Sequence, residues 1–416
     1  MKYGVLVNKY CRNLGDDVQS YAEAQFLPRI DYLVDREEID SFQSKDGEKV
    51  ATILGAWWMK RKWNFPPSNC IYPLLTAMHV SLETLEINSG HPGRSPIKDE
   101  WLGGVGGDYL KAYGPVGARD IKTQKAFEEY GIPTYFSGCS TLTLPKQKLI
   151  ESETEYICLV DVAPEVEKKI REDIENSSIE IRIMSHTRLK ERTEEEASDW
   201  EFRKREVEEL LTIYQNAKCV ITRRLHVSLP CLAMDVPVLC VFPDEAIIDR
   251  LEPYKDWLHF VRVTDFLNGD YDYDIENPKP NKTEYLEFRK TLTEQMEAFV
   301  AEVDKFEDLP IKTTYTDEEK VLWQNQLMKM ALTSWQPLSL KMHRRITKLE
   351  KKRKELSIRL KKKNIKIAKL KKRIAILKKR IADLKKSNAE KKQNQDLYKR
   401  MRHFGGRVLR KLKLKK

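Results

Sequence analysis

The most constraining feature of this sequence is a strand, loop, helix and strand pattern in the second half of the chain. Cys219–Thr222 and Val236–Phe242 are apolar runs of strand length, and the short apolar segment Val227–Met234 lies between them. Continuous apolar strands are typical of a parallel sheet covered on both faces. Arg224 and His226 fall where the first strand ends, the edge at which such sheets bind ligands. The pattern predicts an α/β fold with a ligand site at this edge.

Arg224 and His226 suit an acidic substrate on which a proton must be moved. A guanidinium is always charged and binds phosphate or carboxylate through its fork of donors, whereas an imidazole titrates near neutrality. The structural alternative is an arginine paired with a nearby acid at a helix start, beside a packed histidine. These two residues alone do not decide between the readings.

The same alternation of elements extends over most of the chain. Strands are predicted at Tyr3–Val7, Tyr32–Val34, Val50–Leu54, Thr134–Ser137, Tyr156–Val160, Ile179–Met184, Lys218–Thr222 and Pro237–Val241, and helices at Asp17–Phe26, Ile121–Tyr130, Glu201–Gln215, Thr283–Phe306 and Thr316–Ser334. A length of 416 residues exceeds one ordinary domain, and Leu144-Pro145 is a plausible domain edge. We therefore expect two α/β domains that face each other across a cleft.

The net charge of +11 is divided sharply along the chain. Residues 341–416 hold 33 Lys and Arg but only 5 Asp and Glu, a net charge of +28. The first 340 residues hold the remaining 42 basic and 59 acidic residues, a net charge of −17. The basic character therefore belongs to the tail and not to the α/β body.

The seven cysteines are an odd number without CxxC spacing, which indicates buried thiols in a reducing compartment. The amino terminus enters a strand directly instead of the longer apolar core of a secretory signal. No later run reaches the roughly 18 apolar residues of a spanning helix. We expect a cytoplasmic protein, with any membrane contact peripheral at the inner face of the cell membrane.

Two glycine-containing motifs lie in the first half. Asn13-Leu14-Gly15-Asp16 follows the first strand and opens the first helix, where backbone N–H groups can meet an anion and Asn13 and Asp16 can bind hydroxyls; a helix cap is the alternative. Gly103–Gly107 has no clear strand before it, and we interpret it as a flexible loop over the cleft and not as a phosphate cradle.

Three further positions carry candidate chemistry. Arg119 lies between a strand and a helix, where it can reach an acidic substrate or pair with Asp120 or Glu128. Cys139 is interpreted as a buried structural thiol because the sequence identifies no base near it. His186 ends another predicted strand and can line the same cleft, although a surface loop explains it nearly as well. His79, His91 and His259 form no metal-ligand spacing with cysteine or carboxylate, so no metal is expected.

In succession, four elements resemble the polysaccharide pyruvyl transferase family. They are Asn13–Gln19, the block from Gly117-Ala118-Arg119-Asp120 to Gly131-Ile132, Ser137–Leu144 and Arg224-Leu225-His226. The resemblance implies two Rossmann-like domains, residues 1–150 and 151–335, arranged much as in GT-B glycosyltransferases. It also implies phosphoenolpyruvate as donor and a bacterial surface glycan or its lipid-linked precursor as acceptor.

The resemblance also implies roles for individual residues. Arg224 and His226 match an element in which the arginine holds phosphoenolpyruvate and the histidine transfers a proton. Arg119 matches a second arginine that grips the donor, and Asn13, Gly15 and Asp16 match an element at the cleft. The sequence departs from the usual family pattern at Arg12, Arg223 and Val227.

The implied chemistry agrees with these residue types. Ketal formation requires protonation of the donor methylene, attack by one sugar hydroxyl, loss of phosphate and closure by a second hydroxyl. A general acid at His226 contributes about 10²–10⁴ in rate, and Arg119 and Arg224 clamp the acidic groups. The scheme needs no metal and no cofactor beyond the donor.

The tail shows a seven-residue register. Ile346, Arg353, Leu360, Ile367, Ile374, Ile381 and Asn388 occupy one core position, and Leu349, Leu356, Lys363, Leu370, Leu377 and Leu384 the other. Isoleucine at the first position and leucine at the second favour a parallel two-stranded coiled coil, hence a homodimer. Flanking lysines and arginines repel each other unless an acidic partner is present.

We expect a basic coiled coil over residues 341–390 and a basic amphipathic tail over 391–416. The amphipathic tail suits an anionic membrane surface better than nucleic acid, because no nucleic-acid module accompanies it. A solvated spacer is the structural alternative. Two other functions remain open: a GT-B-type glycosyltransferase with a nucleotide-sugar donor, and a non-catalytic scaffold that acts through the coiled tail.

Overall fold

The computed structural model describes residues 1–59, 64–82, 96–150, 154–244, 251–305 and 310–330, together with individual helical positions within 359–380 and 399–403. Met1–Trp335 forms one compact unit and Gln336–Lys416 a second. Two separate sheets of four and five strands lie in the first unit. The division of this unit into domains at residue 150 and their GT-B-like arrangement remain predictions.

The first sheet is parallel and contains residues from the first 74 positions. Its strands are β1 (Lys2–Val7), β2 (Tyr32–Asp35), β3 (Val50–Ile53) and β5 (Ile71–Leu74), in the order β2-β1-β3-β5. The short strands β4 (Trp57–Trp58) and β6 (His79–Val80) pair separately. β2 and β3 pair with opposite edges of β1. The carboxyl ends of β1 and β3 therefore flank a topological switch point.

The second sheet follows a short parallel pair, β7 (Val116–Ala118) and β8 (Thr134–Phe136). Its strands are β9 (Tyr156–Val160), β10 (Glu180–Met184), β11 (Cys219–Thr222), β12 (Val238–Phe242) and β13 (His259–Arg262), in the order β10-β9-β11-β12-β13. Every pair is parallel. Here the switch point lies between β9 and β11, and both strands are wholly buried, as their unbroken apolar runs predict.

Ten helices of the described chain connect and cover these strands. They are α1 (Leu14–Ala24), α2 (Pro96–Gly103), α3 (Val105–Tyr113), α4 (Ile121–Glu129), α5 (Pro164–Asp173), α6 (Glu194–Ser198), α7 (Trp200–Gln215), α8 (Leu225–Ala233), α9 (Val263–Asn268) and α10 (Leu286–Val303). Residues 317–330 are also helical. The mixed α/β class with parallel sheets is therefore confirmed.

One interpretation of the sequence is wrong. Residues 103–107 do not form a flexible loop, because they end α2 and begin α3, and the two helices pack against each other. The apolar residues Trp101 and Leu102 on one side and Tyr109 and Leu110 on the other are buried, which holds this glycine-rich turn in place. The sequence signal was missed because glycines are poor helix formers and suggest a loop.

The described positions of the second unit are helical. Ile367, Leu370, Ile374 and Leu377, which are core positions of the predicted coiled coil, are 49–54% exposed in the single chain. The remaining core positions of the register, except Lys363, and most of 391–416 lie outside the described residues, so the coiled coil remains a prediction. In the part of the chain that is described, no helix is both long and apolar enough to cross a membrane.

Candidate active site

The amino-terminal turn of α8 holds His226 against the start of α1. Arg224 is the N-cap of α8, and His226 departs from helical geometry with φ −79° and ψ 18°. A Cβ atom added to Gly15 would lie 2.7 Å from Nδ1 and 2.9 Å from Cβ of His226. Because real Cβ atoms do not approach that closely, only glycine at position 15 leaves room for the imidazole.

We expect Gly15→Ala to displace the His226 imidazole. Misplacement of a reacting group by about 1 Å costs on the order of 10²-fold in rate, so turnover should fall by about that factor. The free energy of unfolding should fall by about 1–3 kcal/mol, because a methyl group forced into this close contact overpacks it. Steady-state turnover and urea unfolding measure the two effects, with Ala22→Gly as a control that perturbs α1 away from the imidazole. A Gly15→Ala protein with unchanged turnover would show that the close contact is unimportant.

Arg119 directs its guanidinium at His226. Its backbone is fixed by an N–H bond to the Met78 carbonyl (2.8 Å) and by the Tyr254 hydroxyl, which donates to the Arg119 carbonyl (2.5 Å). The side chain is only 3% exposed. Nη1 donates to Gln19 Oε1 at 2.9 Å and lies 3.4 Å from His226 Nε2. The arginine and histidine, 107 residues apart in sequence, therefore meet in the fold.

Asp120, the acid next to Arg119 in the sequence, is bound by other groups. Asp120 caps α4 by accepting from the Thr123 N–H, and its Oδ2 lies 2.6 Å from His79 Nδ1. Burial alone would raise the pKa of Asp120, but the contact with His79 lowers it. Arg119 itself contacts an amide and an imidazole, both of which can be neutral. Its positive charge is therefore available to an anionic ligand.

The Arg119–His226 contact constrains where the imidazole carries its proton. A guanidinium only donates hydrogen bonds, so Nε2 accepts this contact when the ring is neutral, and the proton then belongs on Nδ1. Protonation of Nε2 would make two donors face each other. An anion bound to Arg119 favours that protonated state, because it places negative charge beside the ring.

Asp16, next to Gly15 on α1, interacts electrostatically with His226. Its carboxylate accepts from the side-chain amides of Asn8 and Asn13, both at 3.2 Å, and lies 3.6 Å from Arg36. Burial would raise the pKa of Asp16, but the charges of Arg36 and His226 hold it below its usual range. Asn13 also caps α1 by accepting from the Gly15 N–H at 3.3 Å. The cap predicted as the alternative for this motif is thus present, and it also orders the wall of the site.

Arg224 approaches from the second sheet and binds an acid. Its Nε donates to Asp161 Oδ2 at 2.8 Å, directly after β9 and therefore at the switch point of this sheet. Asp161 has φ +51° and also accepts from the Ser185 hydroxyl and the His186 N–H. Burial would raise the pKa of Asp161, but these bonds and Arg224 lower it. The Arg224 side chain is 39% exposed, so its guanidinium remains accessible.

His186 contributes its backbone to this region and buries its ring. The residue is 1% exposed, and Nδ1 lies 3.2 Å from the Tyr214 hydroxyl. Its carbonyl accepts from the Leu14 N–H at 3.1 Å, which ties the loop after β10 to the start of α1. Burial and, to a lesser extent, the charge of Arg224 lower the pKa of His186 to about 4. A substrate-binding role for this residue remains a prediction.

The buried His186 ring should make the protein less stable in acid. Its pKa is lower in the folded state than the ordinary value of about 6.5, so the unfolded chain binds the extra proton first. The neutral ring contributes fully to the free energy of unfolding above pH 6.5. This contribution, about 3 kcal/mol, is lost as the pH falls towards 4. The free energy of unfolding, measured in urea between pH 7 and pH 4, should depend less steeply on pH for His186→Gln than for the unchanged protein. Equal pH dependence would contradict this assignment.

Cys139 lies beside His226, which the sequence did not indicate. Its Sγ atom is 3.7 Å from Nε2, and it accepts from the Thr141 hydroxyl at 3.3 Å. The expectation that no base lies near this thiol is therefore wrong, although burial of the thiol agrees with the sequence. The two residues are 87 positions apart, so spacing in the sequence carries no signal for their contact.

A buried ionic cluster joins α1 to α7 and to the loop before α6. Asp17 binds Arg192 through both oxygens, at 3.3 and 2.8 Å, and Arg203 at 2.5 Å. Arg192 also binds Glu206 at 2.8 Å. The two arginine side chains and Asp17 are nearly inaccessible to solvent. The cluster fixes the helix that carries Gly15 against the second half of the unit.

Arg12, where the sequence departs from the family pattern, supports the same junction. Its guanidinium donates to the carbonyls of Arg188 and Leu189, at 2.8 and 2.9 Å. The Arg188 N–H returns a bond to the Arg12 carbonyl at 2.8 Å. In this structure Arg12 therefore holds two loops together.

Within the described ranges, no group of three or more His, Cys, Asp or Glu side chains is placed to hold a metal ion. The fold and the site thus define an α/β protein with parallel sheets in which a buried arginine meets a histidine at a helix start. Residues 95–244 match the family model "Polysaccharide pyruvyl transferase". The match covers 150 of the 416 residues and agrees over this segment with the family that the sequence motifs resemble. Arg119, Cys139, His186, Arg224 and His226 all lie within the match.

Two solved structures are similar to this chain at low identity. An uncharacterised protein from Klebsiella pneumoniae is 10% identical, with a TM-score of 0.35, and the similarity covers 62% of this chain and 92% of that one. The lipopolysaccharide ADP-heptose heptosyltransferase II of Escherichia coli is 9% identical, with a TM-score of 0.25, and the similarity covers 73% and 100%. Comparison with curated proteins found no match.

Proposed function

We propose that this transferase moves a pyruvyl group from phosphoenolpyruvate to a sugar of a bacterial surface polysaccharide or its lipid-linked precursor, and forms a cyclic ketal. The observation that carries the proposal is the 3.4 Å approach of Arg119 Nη1 to His226 Nε2. This contact places a permanent cation beside a group that can deliver a proton. A donor with carboxylate and phosphate groups requires both.

In the proposed reaction, Arg119 binds an acidic group of the donor, and the more exposed Arg224 binds a second. His226 donates its Nε2 proton to the donor methylene, which becomes a methyl group and leaves positive charge on the neighbouring carbon. A sugar hydroxyl oxygen bonds to that carbon and returns its proton to the imidazole. Phosphate then leaves with the electron pair of its C–O bond, and a second hydroxyl of the acceptor bonds to the same carbon and gives its proton to the released phosphate, which closes the ketal.

Calorimetric titration of the full-length protein tests the donor assignment. We expect phosphoenolpyruvate to bind, UDP and GDP not to bind, and Arg119→Ala and Arg224→Ala to weaken binding. Lys168→Ala, a change of an exposed cation on α5, serves as the matched control. Tight binding of a nucleotide instead of phosphoenolpyruvate would contradict the proposal and indicate a glycosyltransferase.

For the tail, we propose that it acts as a peripheral anchor. The charge of +28 over residues 341–416 favours an anionic membrane surface, and the exposed apolar positions of the helix favour pairing with a second copy. Full-length protein should sediment with phosphatidylserine vesicles at low salt and remain in solution with phosphatidylcholine vesicles. Equal sedimentation with both would contradict an electrostatic anchor, and preferential retention by duplex DNA would favour nucleic acid.

A further inference from the structure

A buried row of side chains on α1 extends behind Arg119. Gly15, Gln19 and Glu23 are spaced by four residues and therefore share one face of the helix. Gln19 Oε1 accepts from Arg119 Nη1 at 2.9 Å, and Gln19 Nε2 donates to Glu23 Oε1 at 3.3 Å. The Ser140 hydroxyl donates to the same Glu23 oxygen at 2.8 Å. The contacts form a continuous relay from Glu23 through Gln19 to Arg119.

The Glu23 carboxyl group is confined on all the sides that the structure describes. Glu23 is 2% exposed, and Ser140 is fully buried. A Cβ atom added to Gly55, just after β3, would lie 2.1 Å from Glu23 Oε1 and 3.1 Å from Gln19 Nε2. Glycine at position 55 is therefore required for the carboxyl and the amide to lie where they do. Glu23 Oε2 is buried without a hydrogen-bond partner among the described residues.

The surroundings of the Glu23 carboxyl group favour its neutral form. Burial raises the pKa of Glu23 well above its ordinary value, and the bonds from Ser140 and Gln19 and the charge of Arg119 only partly oppose this. The groups that face the carboxyl are the neutral Ser140 and Gln19, the Gly55 backbone and, beyond Gln19, the cation Arg119. A neutral carboxyl leaves the charge of Arg119 uncompensated, whereas an ionised one would compete with an anionic ligand.

We propose that neutral Glu23 is a positioning residue for Arg119, acting through the Gln19 amide. The inference rests on the proposed function and deepens it. Glu23 Oε1 accepts hydrogen bonds, so the amide nitrogen of Gln19 faces Glu23. The amide oxygen of Gln19 then faces Arg119 and accepts from it. The guanidinium is thereby oriented towards His226, where an acidic donor can bind it.

The test compares Glu23→Gln, which mimics a neutral carboxyl group, with Glu23→Ala, which removes the relay, in the full-length protein. We expect Glu23→Gln to bind phosphoenolpyruvate at pH 7 within about twofold of the unchanged protein, and Glu23→Ala to bind at least about tenfold more weakly. As the pH rises through the pKa of Glu23, the unchanged protein should lose affinity that Glu23→Gln retains. Equal affinity of both variants, or a large loss in Glu23→Gln at pH 7, would overturn the proposal.

A ligand-free readout separates this proposal from the proposed function. The NMR titration midpoint of His226 depends on the cation held beside Nε2, so Glu23→Ala should raise it by about 0.5 pH unit or more and Glu23→Gln should not. If phosphoenolpyruvate fails to bind but the midpoint shifts as expected, the proposed donor is wrong and the relay is supported. If the midpoint is the same in all three proteins, the relay is refuted whatever the donor is. A lower free energy of unfolding in urea would identify a variant that has lost structure generally.

Discussion

Replacement of His226 by glutamine should lower turnover by about 10²–10⁴ while donor binding changes by no more than a few fold. Glutamine can occupy the space next to Gly15 and accept a bond from Arg119, but it cannot deliver a proton at neutral pH. General acid catalysis by a positioned side chain contributes a factor of this size. Phosphate release from phosphoenolpyruvate with an acceptor glycan gives the turnover, and calorimetry gives the affinity.

His259→Gln is the matched control for this variant. His259 begins β13, and its Nε2 lies 2.9 Å from the Pro280 carbonyl. The substitution therefore makes the same chemical change outside the site. We expect the control to retain full turnover. If His226→Gln retained turnover within a few fold of the unchanged protein, proton delivery would have to come from another group, and the role assigned to His226 would be wrong.

The second large effect is expected at Asp17. Asp17→Ala would leave the buried guanidinium groups of Arg192 and Arg203 without their shared carboxylate. Removal of one partner from a buried ion pair costs about 3–5 kcal/mol, because an uncompensated charge remains in the interior. We expect the free energy of unfolding, measured in urea, to fall by that amount.

Glu172→Gln is the matched control for Asp17→Ala. Glu172 pairs with Lys168 on the exposed face of α5, where both side chains are more than 60% exposed. Surface pairs of this kind contribute about 0–1 kcal/mol. If Asp17→Ala cost no more than this control, the cluster would not be what fixes α1 to the second half of the unit.

Much of the fold could be predicted from local patterns. The apolar runs that became β9, β11 and β12 are wholly or almost wholly buried, and an unbroken apolar run has few alternatives to a covered parallel strand. The loop after β11 was also correctly placed at the carboxyl end of a strand. Arg224 and His226 could be found because they immediately follow such a strand.

The contacts inside the site could not be predicted in the same way. The meeting of His226 with Arg119 and Cys139 depends on how α8 packs against residues from the first half of the chain, and no local pattern encodes that packing. Gln19 and Glu23 were missed because polar residues in a helix are usually exposed. Their spacing of four from Gly15 was the available signal, since it places all three on one helix face.

The position in which the His226 imidazole packs has a consequence for chimeras between this protein and a relative. His226 comes from the second half of the chain, but the glycine that admits it and the arginine that faces it come from the first. A chimera that takes its first half from a relative keeps His226 but not the surroundings that make it useful. Such a chimera keeps a competent site only if its new first half again supplies a residue without a side chain at position 15.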